Sequence, residues 1–196
     1  LINRHGGNAV GITGKDGDLI MAKRHKKGKK QSAETNRPEI IDLGLVGEIT
    51  KVNPRILETL DKNEFVPVIA PIGKGGDGTT LNINADFVAS KIASALKAEK
   101  LILMTDTEGV KNKTGKLQSG LTKKEVTAMI KEKVIKDGML PKVKCCLDAL
   151  KAGVHKTHIV DGRVQHALLL EIFTEDGIGT QIVEKKLDLT APSTPN

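Results

Sequence analysis

A chain of 196 residues, 38% of them apolar, can bury a core and falls within the size of one domain. Its net charge of +7 invites a nucleic-acid reading, yet six cations crowd into one stretch, MAKRHKKGKK, as Lys23, Arg24, Lys26, Lys27, Lys29 and Lys30. The rest of the chain is close to neutral, Trp and Tyr are lacking and Phe occurs three times, so the run reads as a solvated loop, stacking platforms for bases are scarce, and no apolar stretch reaches the ~18 residues of a membrane span.

In chain order, LINRHGGNAVGI has the pattern of a helix end feeding a strand. It reads as a sequence that lacks a preceding part, with Gly6 and Gly7 as helix terminators. The runs NAVGI, FVPVIAPIG, KLILMTDT and KTHIVDG are predicted strands, and segments of helical period separate them. That alternation predicts an α/β fold with a mostly parallel sheet covered by helices. Residues 15–42 are polar and Gly-containing, and their flanks GDLIMAK and EIIDLGLVGEITKV read as arms of a hairpin, an excursion from the sheet and not a domain.

Three helices are marked by periodicity. After Asn84, the residues Val88, Ile92, Ala95 and Leu96 form one apolar face. Thr122 and Glu125 make a capping box ahead of Val126, Met129 and Ile130, and Val143, Cys146, Leu147 and Leu150 follow the i, i+3, i+4, i+7 rule. Cys145 and Cys146 are sequence neighbours, a strained spacing for a disulfide, so they read as the reduced thiols of a cytoplasmic or plastid-stroma protein. No Cys and His cluster has zinc-ligand spacing, and no metal site is predicted. The tail DLTAPSTPN has a disordered composition, which leaves one domain over residues 1–187 and a tail over 188–196.

Two stretches carry chemistry. PIGKGGDGTTLNINADFVASKIASALKAEKLILMTDTEGV reads as strand, Gly-rich loop, helix and strand, and would deliver Asn82, Asn84 and Asp86 to an edge where helix dipoles favour anions. Alone, NINAD is as readily a helix cap, and GKGGDG fits neither a Walker loop nor the dinucleotide fingerprint. In IKDGMLPKVKCCLDALKAG, Pro141 suits a helix start. Lys142 in the same first turn opposes the helix dipole unless an anion shares the position.

NAVGITGKDGDLI, LNINADFVASKIASALKAEKLILMTDTEGV and DGMLPKVKCCLDALKAGVHKTHIVDGRVQHALLLEIFTEDGIGTQI together resemble the arginine-sensitive acetylglutamate kinases along almost the whole chain. That resemblance implies the amino-acid kinase fold, a three-layer αβα sandwich, here lacking its N-terminal part. It implies phosphorylation of the side-chain carboxylate of N-acetyl-L-glutamate by MgATP, in arginine biosynthesis. Lys142 then matches the lysine that stabilises the transferring phosphoryl group, Asp86 the aspartate that orients catalytic lysines, and Asn82 the asparagine that holds acetylglutamate. The run Asp106, Thr107, Glu108, Gly109, Val110 and Lys111 matches a loop contacting ATP, and Val134, Ile135 and Lys136 match a second nucleotide contact. His158, Glu171 and Gly177 fall on positions that bind feedback arginine. Without the resemblance Glu171 reads as a solvated helix residue, His158 as a strand residue, and His166 as structural.

The family's phosphate loop, a further catalytic lysine, and the Gly-Gly pair and arginine that bind acetylglutamate have no counterpart here, so the fragment alone is expected to be inactive. The resemblance further implies a homo-oligomer when intact and, for some relatives, a partnership with a PII-type nitrogen-status signal protein. Two alternatives stand beside it: a relative acting on glutamate, aspartate, carbamate or UMP, and a non-catalytic module that binds nucleotide or arginine.

Overall fold

The N-terminal strand begins where a helical turn is stopped. Residues Ile2–His5 form a single 3-10 turn closed by Gly6 at φ 84, a left-handed cap that glycine adopts without a Cβ clash. The structure, a computed structural model, describes residues 1–25, 28–31, 38–41, 44–174 and 177–185. Lys26, Lys27 and the tail 188–196 lie outside the described residues. The chain divides into two units, Leu1–Ala95 and Leu96–Asn196.

The first unit holds β1 (Ala9–Thr13), β2 (Ile20–Arg24), β3 (Gly28–Gln31), β4 (Pro38–Ile41), β5 (Gly47–Val52), α1 (Arg55–Lys62), β6 (Val66–Ala70), β7 (Ile72–Lys74), β8 (Thr80–Asn82) and nearly all of α2 (Ala85–Leu96). β1 and β6 pair in parallel, Ala9 opposite Val66. β2 and β5 are the antiparallel arms foreseen for the excursion, and β3 and β4 form a further antiparallel pair within it. FVPVIAPIG yields two strands because Pro71 interrupts the run: β7 leaves β1 and β6 to pair with β2 in parallel and with β8 antiparallel.

Packing in this unit centres on Leu19, Ile20, Ala22, Leu57, Leu81, Ile83, Val88 and Ile92. Gly73 sits where β7 crosses this core, since a Cβ there would meet Ile83 Cδ1 at 2.7 Å. Of the predicted α2 face, Val88 and Ile92 are buried and Leu96 is exposed, because the helix ends there and the chain turns through Lys97 at φ 47.

The second unit holds β9 (Lys100–Thr105), β10 (Gly120–Thr122), α3 (Lys123–Lys131), α4 (Met139–Lys151), β11 (Lys156–Asp161), α5 (Ala167–Phe173) and β12 (Thr180–Val183). Its sheet runs β10-β12-β11-β9, with β9 parallel to β11, β10 parallel to β12, and β12 antiparallel to β11. α4 buries the predicted stripe Val143, Cys146, Leu147 and Leu150, and Cys145 and Ala149 beside it, and both thiols are unoxidised. α3 opens with the predicted box: Glu125 N–H donates to Thr122 Oγ1 at 3.2 Å, and Thr122 N–H donates to Glu125 Oε2 at 2.7 Å. Among the described residues, no helix is long and apolar enough to cross a membrane.

Candidate functional site

β9 and β11 run side by side and end together, Thr105 opposite Asp161, so their C-terminal residues meet at one sheet edge, where ligands gather in open α/β sheets. A cavity of about 370 Å³ opens there. It is lined by Asp106, Thr107, Glu108, Gly109, Val110, Lys111, Val134, Ile135 and Lys136, together with Met139 and Arg163. The structure therefore brings together every residue predicted for the two nucleotide contacts, although more than twenty positions separate them in sequence. Val110 and Ile135 are buried and give the cavity apolar wall, while Glu108 and Lys111 pair across the loop at 2.8 Å.

The shape of each segment has a local cause. Gly109 adopts φ 136, and a Cβ there would lie 2.6 Å from Thr180 Oγ1, so the position requires glycine. The next residue, Val110, donates its N–H to the same Thr180 hydroxyl oxygen at 2.8 Å, a buried bond across 70 positions. Residues 134–136 are set by the end of α3. Lys133 turns left-handed at φ 56, and Val134 and Ile135 donate their N–H groups to the Met129 carbonyl at 2.9 and 3.3 Å.

Met139 and Arg163 escaped the sequence reading. Arg163 lies two residues beyond β11 and is locked onto Asp161: Nε donates to Oδ1 at 2.9 Å, Nη2 to Oδ2 at 2.8 Å, and the Arg163 backbone N–H to Oδ1 at 3.0 Å. The Arg163 side-chain hydrogen bonds, and after them its backbone N–H, hold the Asp161 carboxyl down to about 2 from an ordinary 3.8. In return the guanidinium is held more firmly charged, first by its hydrogen bonds to Asp161 and more weakly by the nearby Asp106 and Glu108 carboxylates. An Asp followed two positions later by Arg at a predicted strand end was the available signal.

Asn82 closes β8 and Asp86 stands in the first turn of α2. Between them Asn84 Oδ1 accepts the backbone N–H of Asp86 at 2.9 Å, so Asn84 caps the helix and fixes the turn that carries its neighbours. Lys142 stands in the opening turns of α4, three residues after the cavity-lining Met139 and so on the same helix face. Lys142 does not itself line the cavity.

His158, Glu171 and Gly177 meet at a second, polar cavity of about 330 Å³, whose lining also includes Lys100, Ser119, Thr174 and Gln181. Glu171 is no solvated helix residue. Its side chain is 4% exposed, and its carboxylate accepts from His158 Nδ1 at 2.6 Å, Ile178 N–H at 2.8 Å and Gly179 N–H at 3.0 Å. In that pairing the carboxylate accepts and His158 Nδ1 donates, which leaves the other ring nitrogen, Nε2, pointing away from Glu171. That atom is buried and has no hydrogen-bond partner among the described residues. His166 sits at φ 58 ahead of α5, without a side-chain cap hydrogen bond.

This chain is 56% identical to the acetylglutamate kinase of Desulfotalea psychrophila over 182 residues and 55% identical to that of Nitrosococcus oceani over 183. Each match covers 93% of this chain and 61% of the relative, so the chain spans about three fifths of their length. Among solved structures, N-acetylglutamate synthase of Neisseria gonorrhoeae, complexed with coenzyme A and L-arginine, aligns with a TM-score of 0.74 at 24% identity, covering 91% of this chain and 38% of that one. Carbamate kinase of Giardia aligns with a TM-score of 0.63 at 17% identity, covering 93% and 64%. These two likenesses support the layered αβα fold. The amino acid kinase family model matches residues 1–161, and with that match over most of its length the chain belongs to the amino acid kinase family.

Proposed function

We propose that this chain carries the nucleotide-handling part of an acetylglutamate kinase, which transfers the γ-phosphoryl group of ATP to the side-chain carboxylate of N-acetyl-L-glutamate. The observation that carries the reading is the convergence of residues 106–111 and 134–136 on one cavity at a sheet edge, in a chain 55–56% identical to acetylglutamate kinases. The acceptor carboxylate is already ionised at neutral pH, so the reaction calls for no general base. A carboxylate oxygen attacks the γ-phosphorus, the bond to the β-phosphate oxygen breaks, and ADP leaves with the electron pair.

Phosphoryl transfer asks the protein for position and for cations on developing oxygen charge. Lys142 would supply such a cation, Asp86 would orient the lysines, and Asn82 would hold the acceptor. Mg²⁺ would accompany the phosphates, as it commonly does with one or two carboxylates in reach, and Asp106 and Glu108 of the cavity lining are the carboxylates that would hold it. A homo-oligomer and, as partner, a PII-type signal protein belong to the same reading; sedimentation and pull-down experiments test them directly.

The test is ATP consumption with N-acetyl-L-glutamate, glutamate, aspartate, carbamate or UMP as acceptor. It is run on this chain and on a chimera joining it to the part of the Desulfotalea enzyme that it does not span. The chimera should turn over with N-acetyl-L-glutamate, and the 196-residue chain alone should bind nucleotide without turnover. Lys142→Ala in the chimera should lower kcat by orders of magnitude while nucleotide affinity changes little, because a charge used mainly in the transition state is missed mainly there. Lys142→Arg should fail as well, a planar fork replacing a compact charge. Phosphorylation of glutamate with none of N-acetyl-L-glutamate would overturn the substrate assignment.

A second reading rests on the polar cavity at His158. With Glu171 already accepting three hydrogen bonds, an arginine guanidinium would meet first the polar atoms of Ser119, Thr174 and Gln181 in the cavity lining. Calorimetric titration with L-arginine and L-lysine reads this: heat from arginine and none from lysine is expected, and no heat at millimolar arginine removes the effector site.

A further inference from the structure

We propose that Arg163 is a nucleobase-contacting residue of the nucleotide cavity, with its guanidinium plane set by Asp161. The inference rests on the nucleotide reading of that cavity and goes beyond it in naming the residue that meets the base. Two bonds of nearly equal length, 2.9 and 2.8 Å, join the guanidinium to the Asp161 carboxylate edge to edge. Such a fork fixes the orientation of the guanidinium plane as well as its position. Asp161 is itself buried at the end of β11, at 5% exposure, so the fixed end of the pair is anchored in the sheet. The Arg163 side chain is 65% exposed and lines the cavity, which leaves the faces of the plane open to a ligand.

The composition of the lining says what that ligand group is. Among the described residues no aromatic side chain lines this cavity, so a base entering it finds aliphatic wall from Val110, Ile135 and Met139, and one fixed cationic plane, Arg163. Guanidinium planes stack on nucleobases as aromatic rings do. Phosphate is the poorer match for this residue: Asp161 already neutralises the guanidinium, and Asp106 and Glu108 place further negative charge within its electrostatic reach.

The experiment is a methyl-NMR titration of the 196-residue chain, following Met139 and Ile135, with adenosine, ADP and ATP, for wild type, Arg163→Lys and Asp161→Asn. A base contact predicts that Arg163→Lys weakens all three ligands by the same factor, about 3- to 30-fold on the usual cation–π scale. Asp161→Asn should weaken them by a smaller common factor, the guanidinium being retained without its fixed plane. Arg163→Lys is the arm that keeps the proposal testable should the buried Asp161→Asn variant fold poorly, because residue 163 is exposed. Equal affinities in wild type and Arg163→Lys overturn the proposal. A loss that grows from adenosine to ATP and fades with salt also overturns it, reassigning Arg163 to phosphate. Failure of the wild type to bind any of the three removes the nucleotide reading itself, an outcome distinct from both.

Discussion

At the scale of single residues, the structure gives two acids, Asp161 and Glu171, defined partners. Asp161 titrates near 2 because Arg163 holds its charged form. A depressed carboxyl pKa means that the pair's contribution to stability is present in full above about pH 4 and is lost as pH falls through the folded-state value. A carbon-13 titration of the Asp161 carboxyl should give a midpoint near 2 in wild type and a higher one in Arg163→Gln; a wild-type midpoint near the ordinary 3.8 would contradict the geometry. Glu171 clamps His158 to the 178–179 backbone. Glu171→Ala should therefore cost about 3 kcal/mol or more in denaturant unfolding, since each buried donor left without an acceptor costs on the order of 1–3 kcal/mol. That role was illegible in HALLLEIF, where a lone Glu among apolar residues gives no hint of partners arriving from the next loop.

Among the elements, those encoded by local rules were readable and those encoded by distant partners were not. α3 begins where the Thr122 and Glu125 pair says it should, and Thr122→Ala should lower stability by about 1 kcal/mol, with the loss of amide protection concentrated in residues 123–126. Protection spread evenly over the unit, or unchanged, would mean that the cap is idle. The hairpin arms β2 and β5 were legible from their turn-rich insert and matched apolar ends. β12 was not. TQIV has no pattern that tells whether it pairs parallel or antiparallel, and its place between β10 and β11 follows from sheet packing that a period-2 rule does not contain. The same limit hid Arg163, whose importance comes from where β11 ends in space.

For the whole chain, the residues assigned to phosphate transfer are divided between the two units: Asn82 and Asp86 in the first, Lys142 and the nucleotide cavity in the second. Saturating ADP should thus slow hydrogen exchange in residues 106–111, 134–139 and 161–163, with little change over 1–95. Slowed exchange confined to the first unit would place the nucleotide elsewhere. The main strand runs and the family were legible, because long ordered stretches of sequence carry them; the order of the strands was not. The bond from Val110 N–H to Thr180 Oγ1 has a consequence in time. Ribosomes deliver a chain from its N-terminus at about 5–20 residues per second, so the 106–111 loop emerges several seconds before the hydroxyl that fastens it. Arrested nascent chains released from the tunnel should accordingly gain ADP binding only once residue 180 is included. A protein stalled between residues 163 and 180 would hold every residue that lines its cavity and still lack the bond that shapes it.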